Sequence, residues 1–347
     1  MNPISAFFKA IRIQNLVIGV FTMYGIRYAV LIPLLEKVPY RFQQVLNING
    51  QQVAQNHEKL FELQLTHLDF SLLVLSFLLL AAAGNIINDY FDLKIDRINK
   101  PDKMVIGRYI KRRVAMASHV IMNGFSVLLA GYVAWRAGSI EFALIQVICI
   151  IILWFYSTDL KRRFVWGNVS IAFVTALIPL SIAIYEIPPL VETSRGFLEN
   201  NPQAYEQFQG LIYSILFWCM GFAGFAFLLT LAREITKDIV DQKGDMAYKC
   251  QTVPIVMGNK FSVRLVNSLY IITILGALAI QHYLLPDRLT LMYILFLLGP
   301  VLLLTFYLTA RARTDAQFYF PAQMNKLATL VGIGYTLIVY YILTYQM

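Results

Sequence analysis

Charge is what this 347-residue sequence has least of. Asp, Glu, Lys and Arg make up only 14% of it, and 58% is hydrophobic. Soluble domains carry about 25% charged residues, so composition alone excludes an ordinary soluble globule and indicates a membrane protein. Cysteine is scarce as well: Cys149, Cys219 and Cys250 are the whole set, and no two form a CxxC pair. Neither a disulfide framework nor a cysteine zinc site follows from them, and they read as packing residues. Acids number 20 against 29 bases, a net charge of +9. Most of those bases fall in the loops of one side of the membrane, which is the pattern that orients a multi-pass chain with its N-terminus in the cytoplasm. The basic balance therefore reports topology first and anionic partners second, and no nucleic acid is expected.

What the sequence has in abundance is long apolar runs. Nine segments reach the roughly 20 residues needed to cross a hydrocarbon core of about 30 Å: 13–34, 70–88, 114–135, 139–157, 168–187, 208–232, 262–283, 288–310 and 322–344. They leave no room for a soluble domain, so the expectation is one transmembrane domain over 1–347. Its class is all-α, multi-pass, with about nine helices around a central cavity opening to the cytoplasmic side. The N-terminal "MNPISAFFKAIRIQNLVIG" has the basic start of a signal peptide but no small-residue cleavage site, and is read as an uncleaved first helix. Two external polar segments, 35–69 and 186–210, are expected to be solvated loops or short surface helices.

The informative irregularity is a pair of acidic clusters. Asp89, Asp92 and Asp96 end the second apolar run, and Asp238, Asp241 and Asp245 end the sixth. Both have the spacing i, i+3, i+7, which confines the carboxylates to a roughly 60° arc of one helix face. An even number of spans separates the clusters, so both emerge on the same side. Ionised groups in a membrane-spanning segment cost about 2.5–3.5 kcal/mol each on insertion scales and mark function by default. Six carboxylates at one membrane face repel each other unless cations lie between them. Mg²⁺ suits such a place, because it takes one or two carboxylates together with substrate phosphate oxygens and water. Interleaved bases fit a metal-bound diphosphate: Arg97, Lys100 and Lys103 after the first cluster, Arg233 and Lys237 around the second, and Lys161, Arg162 and Arg163 in "YSTDLKRRFVWGN".

"NDYFDLKID" fits N-D-x-x-D-x-x-x-D and "DIVDQKGD" fits D-x-x-D-x-x-x-D. With nine spans, these motifs resemble the UbiA superfamily of intramembrane prenyltransferases over nearly the whole chain, from "RIQN" at 12–15 to "KCQTVPIVMG" after the second cluster. The resemblance implies Mg²⁺-dependent transfer of a prenyl group from a polyprenyl diphosphate to a hydrophobic acceptor held in the membrane lipid, through an allylic cation. It implies that Asn88, Asp89, Asp92 and Asp96 bind one metal and Asp238, Asp241 and Asp245 another. Asp92, Asp96, Asp238 and Asp241 would then be the catalytic core. Arg97, Lys161 and Arg162 would grip the diphosphate with Tyr156 beside them, Lys100, Arg233 and Lys237 would complete the basic lining, and Asn15 would face the cavity.

Within the superfamily, "REITKDIVDQKGD" with "KCQTVPIVMG" is most similar to the branch that transfers geranylgeranyl to a prenylated glycerol phosphate. "MVIGRYIKRR" departs from the family pattern, which has a Pro–Ser–Gly turn there. A phosphorylated acceptor needs cations beyond those serving the donor, and Lys100, Lys103, Arg108, Lys111, Arg112 and Arg113 are the expected source. An aromatic acceptor is the alternative. A cation transporter is the reading from another class. It is disfavoured because the carboxylates sit at one side, with none expected at the midplane or towards the far face.

Overall fold

The computed structural model describes residues 2–36, 39–48 and 51–346. Among them, nine helical stretches are long and apolar enough to cross a bilayer: Ile13–Glu36, His67–Phe91, Arg112–Arg136, Ile140–Thr158, Trp166–Asn200, Pro202–Ala247, Asn259–Tyr283, Arg288–Arg311 and Asp315–Tyr345. Each contains most or all of one span expected from the sequence. The helices are α1 (Pro3–Ala10), α2 (Ile13–Tyr24), α3 (Ile32–Glu36), α4 (His67–Phe91), α5 (Leu93–Asn99), α6 (Arg112–Arg136), α7 (Leu144–Thr158), α8 (Trp166–Asn200) and α9 (Tyr205–Ala247). They are followed by α10 (Val253–Met257), α11 (Asn259–Tyr283), α12 (Arg288–Tyr293), α13 (Gly299–Arg311) and α14 (Tyr319–Tyr345). π-helical segments, Gly25–Leu31 and Ile294–Leu298, join α2 to α3 and α12 to α13.

Local chemistry explains where these helices begin. Pro3 occupies the first turn of α1 and the Asn2 side chain accepts the Ser5 N–H at 2.7 Å, satisfying one of the otherwise orphaned donors. Thr66 caps α4 by accepting the Asp69 N–H at 3.1 Å while donating to Asp69 Oδ2 at 2.7 Å. The apolar run of α4 then buries Phe70, Leu73, Phe77 and Leu80, and its small residues Ala82, Ala83 and Gly84 let neighbours approach closely. A Cβ on Gly84 would stand 2.9 Å from Leu153 of α7.

The polar segments depart from expectation. In 35–69, strands β1 (Tyr40–Ile48) and β2 (Gln51–Lys59) pair antiparallel, Tyr40 opposite Lys59, so among the described residues the regular structure is helical apart from this one strand pair. In 186–210 there is no long loop. α8 runs on through Pro188 and Pro189 to Asn200, and a single 3₁₀ turn, Pro202–Ala204, leads into α9. Burial accounts for the extension: Leu190, Ser194, Phe208 and Leu211 are buried, so helix packing holds a stretch whose composition reads as loop.

The end of the bundle away from the aspartate clusters also holds an acid that the sequence reading did not anticipate. Glu186 of α8 pairs with Arg27 of the first π-helical segment, their side chains 0% and 3% exposed. Arg27 donates to the Leu65 carbonyl, and Glu186 Oε2 accepts the N–H groups of Gln64 and Leu65 at 2.8 and 3.2 Å. Carboxylates therefore lie towards both ends, but this one is neutralised in place by a cation and by two backbone donors. It ties the first π-helical segment, α8 and the segment before α4 together and forms no series of sites.

Candidate functional site

At the opposite end, the two aspartate clusters meet. The first does not lie on one unbroken helix: α4 ends at Phe91, Asp92 is its C-cap, and α5 restarts at Leu93 carrying Asp96. The second lies within α9, whose 43 residues span about 65 Å at 1.5 Å per residue. That is roughly twice a hydrocarbon core, so α9 carries Asp238, Asp241 and Asp245 to the end of the bundle. α5 is clasped to α9 by Asn99, which donates to the Asp241 carbonyl at 2.8 Å and accepts the Gly244 N–H at 2.7 Å. Gly244 is required by this contact, since a Cβ there would lie 2.5–2.7 Å from the Asn99 amide. Gly244→Ala is accordingly expected to lower stability by about 1–3 kcal/mol through overpacking, read as a fall in Tm of the purified protein. An unchanged Tm would mean that α5 and α9 are not held by this clasp.

Between them is a polar cavity of about 290 Å³, lined by Asp89, Asp92, Asp96, Asp238 and Asp241, with Asn15, Asn88, Tyr156, Lys100, Lys161, Arg233 and Lys237. Most of the carboxylates have a named partner. Arg12, in a left-handed conformation (φ 54°) ahead of α2, places Nη2 2.7 Å from Asp89 Oδ1. Lys161 donates to Asp92 and Lys100 to Asp241, and Asn168 Nδ2 donates to Asp238 Oδ2 at 2.7 Å. Lys161 is positioned by a tight turn. A Cβ on Gly167 would be 2.8 Å from the Lys161 Cα, and the Arg162 carbonyl accepts the Gln251 N–H at 2.8 Å.

The electrostatics follow from this crowding. Burial opposes the Lys161 charge, but Asp92 beside it holds the pKa well above the ordinary lysine range. Burial likewise opposes the charge of Arg12, and Asp89 and Glu234 together more than offset it. Asp96 makes no ion pair among the described residues, and Lys161 and Lys100 act on it only from a distance. Burial first, and the Asp92 charge second, push its pKa up to about 6. A carboxylate raised in this way gains most from a cation placed next to it.

Of the residues expected from sequence, the cavity lining brings together Asn15, Asn88, Asp89, Asp92, Asp96, Lys100, Tyr156, Lys161, Arg233, Lys237, Asp238 and Asp241. Asp245 is buried but outside the lining, and Arg97 and Arg162 are exposed and outside it. Of the base run 100–113, only Lys100 and Lys103 reach the lining. Lys103 lies over the Tyr319 ring at 4.3 Å, while Arg112 lies over Tyr90 at 4.6 Å. The sequence reading missed Lys9, Arg12, Glu234 and Lys326 as lining residues, and Asn168 as partner of Asp238. Arg12, Glu234 and Lys326 adjoin or interrupt apolar runs, and an ionisable group in that position was the signal available.

Magnesium fits this donor set. Among the described residues no three His, Cys, Asp or Glu side chains converge closely enough to hold an ion unaided, but Mg²⁺ needs only one or two carboxylates plus phosphate oxygens. Asp241 Oδ1 and Asn88 Oδ1 are buried oxygens without a hydrogen-bond partner, and both residues line the cavity. They are hard donors of the required kind.

The polar cavity continues into an apolar slot of about 190 Å³, which shares Arg12, Asn15, Asn88, Tyr156, Arg233, Glu234, Lys237 and Lys326 with it. Beyond that shared neck the slot is walled by Met23, Phe77, Leu80, Val174 and Ile178. A charged bowl opening into a hydrocarbon slot is shaped for an amphiphile with an anionic head.

Known proteins resemble this chain in sequence and in fold. A digeranylgeranylglyceryl phosphate synthase of Methanosphaera stadtmanae is 32% identical over 203 residues, 58% of this chain and 62% of that protein. The chain thus matches about three-fifths of that relative's length. Among solved structures, the apo form of a UbiA homologue from Aeropyrum pernix K1 aligns with a TM-score of 0.59 at 15% identity, covering 92% of this chain and 97% of that one. A UbiA homologue from Archaeoglobus fulgidus bound to GPP and Mg²⁺ aligns with a TM-score of 0.51 at 13% identity, covering 96% and 99%. At these identities the likeness is one of fold. The family model of the UbiA prenyltransferases matches residues 61–344, and with that match over most of its length the chain belongs to the UbiA prenyltransferase family.

Proposed function

We propose that this protein is an Mg²⁺-dependent prenyltransferase that moves a polyprenyl group, geranylgeranyl in the first instance, from its diphosphate to a lipid-like acceptor such as a prenylated glycerol phosphate. The observation that carries the reading is the continuity of the two cavities: five aspartates and their cations form a bowl that opens directly into an apolar slot. The names of the relative and of the GPP- and Mg²⁺-bound homologue support it. The whole chain acts as one domain, and the bowl faces the cytoplasm, because bases concentrate at that end of the bundle.

Asp89, Asp92 and Asp96 with Asn88, and Asp238 and Asp241, would hold the metal, with Asp245 supporting the second set. When bound, Mg²⁺ supplies positive charge to the oxygens of the departing diphosphate. The protein's own groups do the rest. Lys100 and Lys161, already fixed by Asp241 and Asp92, present N–H donors where charge develops, without reorganisation at the moment of reaction. The slot walls hold the prenyl chain and keep water from the allylic cation left when the C–O bond breaks. Tyr156, at the neck, offers that cation an aromatic face.

The test is direct. Purified protein with Mg²⁺ and radiolabelled geranylgeranyl diphosphate should label a prenylated glycerol phosphate, and EDTA should stop the reaction. Preferential labelling of a neutral aromatic acceptor would move the protein to a different branch of the family. No labelling of any acceptor would overturn the activity itself.

A further inference from the structure

The charges around the cavity are divided. The aspartates line only the bowl, where Arg12, Lys100 and Lys161 each answer one of them. The neck shared with the slot has the opposite balance. Arg233 and Lys237 both lean on a single acid, Glu234, at 3.0 and 2.7 Å, and Lys326 of α14 stands beside them in both cavities. Lys326 makes no ion pair among the described residues. Arg233 gives Nη2 to Glu234 and leaves a buried Nε–H without an acceptor. Clustered cations in excess of their acids repel one another unless an anion joins them.

A metal-bound diphosphate does not meet that need, because the carboxylate bowl and its metal already hold it. Resting on the transferase reading above, we infer that Arg233, Lys237 and Lys326 form a second anion subsite, which binds the phosphate monoester of the acceptor directly and without metal. Position favours this occupant. A phosphate seated at the neck puts the hydroxyl of a glycerol phosphate, a few atoms away, beside the point where the prenyl chain leaves the slot. The hydroxyl oxygen bonds to the first prenyl carbon of the allylic cation once the C–O bond to diphosphate has broken. Its proton and the diphosphate leave through the bowl, so no further co-reactant is needed. Arginine supplies the forked contact and the lysines supply point charges.

Binding is measured on the full-length protein in detergent, without donor, using a prenylated glycerol phosphate in EDTA. Binding should persist without metal and should also persist when Mg²⁺ and inorganic diphosphate are added, since the two anions occupy different places. Lys326→Met should weaken it about ten-fold or more while leaving Mg–diphosphate affinity within about two-fold. Lys326→Arg should restore it, and in turnover the same split should appear as a raised acceptor KM beside an unchanged donor KM. Four results would each overturn the subsite: acceptor binding that requires Mg²⁺, displacement of the acceptor by Mg–diphosphate, equal weakening of both ligands in Lys326→Met, or inorganic phosphate binding as tightly as the ester. If the wild-type protein transfers no prenyl group to any acceptor yet binds the ester in EDTA, the transferase reading fails and the subsite stands.

Discussion

Asp92→Asn and Asp241→Asn are each expected to lower kcat/KM for prenyl transfer by about 10²–10³, the usual cost of losing one electrostatic stabiliser in a preorganised site. The substitution keeps the shape and removes the charge. At Asp92 it also releases Lys161, whose ammonium is fixed by that carboxylate; at Asp241 it releases Lys100. On the proposed function, each variant would thus lose a metal ligand and a positioned donor together. Asp159→Asn provides the contrast. Asp159 pairs with Arg163 at 2.7 Å on the surface, with side chains 46% and 62% exposed, and exposed pairs contribute about 0–1 kcal/mol. Activity should stay close to wild type there. Steady-state kinetics at saturating Mg²⁺, with Tm recorded alongside, decides the matter. Wild-type turnover by Asp92→Asn would remove the first cluster from the mechanism.

Glu186→Leu is expected to destabilise the protein by about 3–5 kcal/mol, because it leaves the Arg27 guanidinium buried and unpaired. Arg27→Leu should cost a similar amount, since it strands the Glu186 carboxylate. The double variant should recover much of the loss, because desolvation of both ions is removed along with their attraction. The comparison is a double-mutant cycle on Tm or on denaturant midpoints in detergent. Additive losses would show that the two side chains act independently, contrary to their contact. Transfer activity per folded molecule should change little in these variants, because neither residue lines the polar bowl or the slot.

Much of the molecule was legible in the chain because its signals are local. A run of about 20 apolar residues must cross or be buried, so the nine spans follow from the sequence within a few residues at most ends. The i, i+3, i+7 spacing of the aspartates follows from helix period alone, and the even number of spans between the clusters places them at one end. Local signals also misled. The composition of 186–210 reads as loop, but Leu190 and Leu211 are buried against neighbouring helices, and packing outweighs propensity there. The first cluster reads as one helix face, yet α4 gives way to α5 at Asp92, a break that the spacing does not announce.

Sequence by itself determined that the chain is a multi-pass membrane protein, that two matched acidic clusters share one side, and that their chemistry suits a metal and a diphosphate. Only tertiary structure decided which bases meet which acids. Arg12 reaches Asp89 across 77 positions and Lys100 reaches Asp241 across 141, while Arg97 and Arg162, equally plausible in the sequence, turn outwards. Only packing, too, placed Lys326 of the last helix at the neck of the site and joined Arg27 to Glu186 at the far end. The physical reason is the same throughout. Helix periodicity fixes the direction of a side chain relative to its own axis, but the neighbour it meets is fixed by how helices distant in the chain pack side by side.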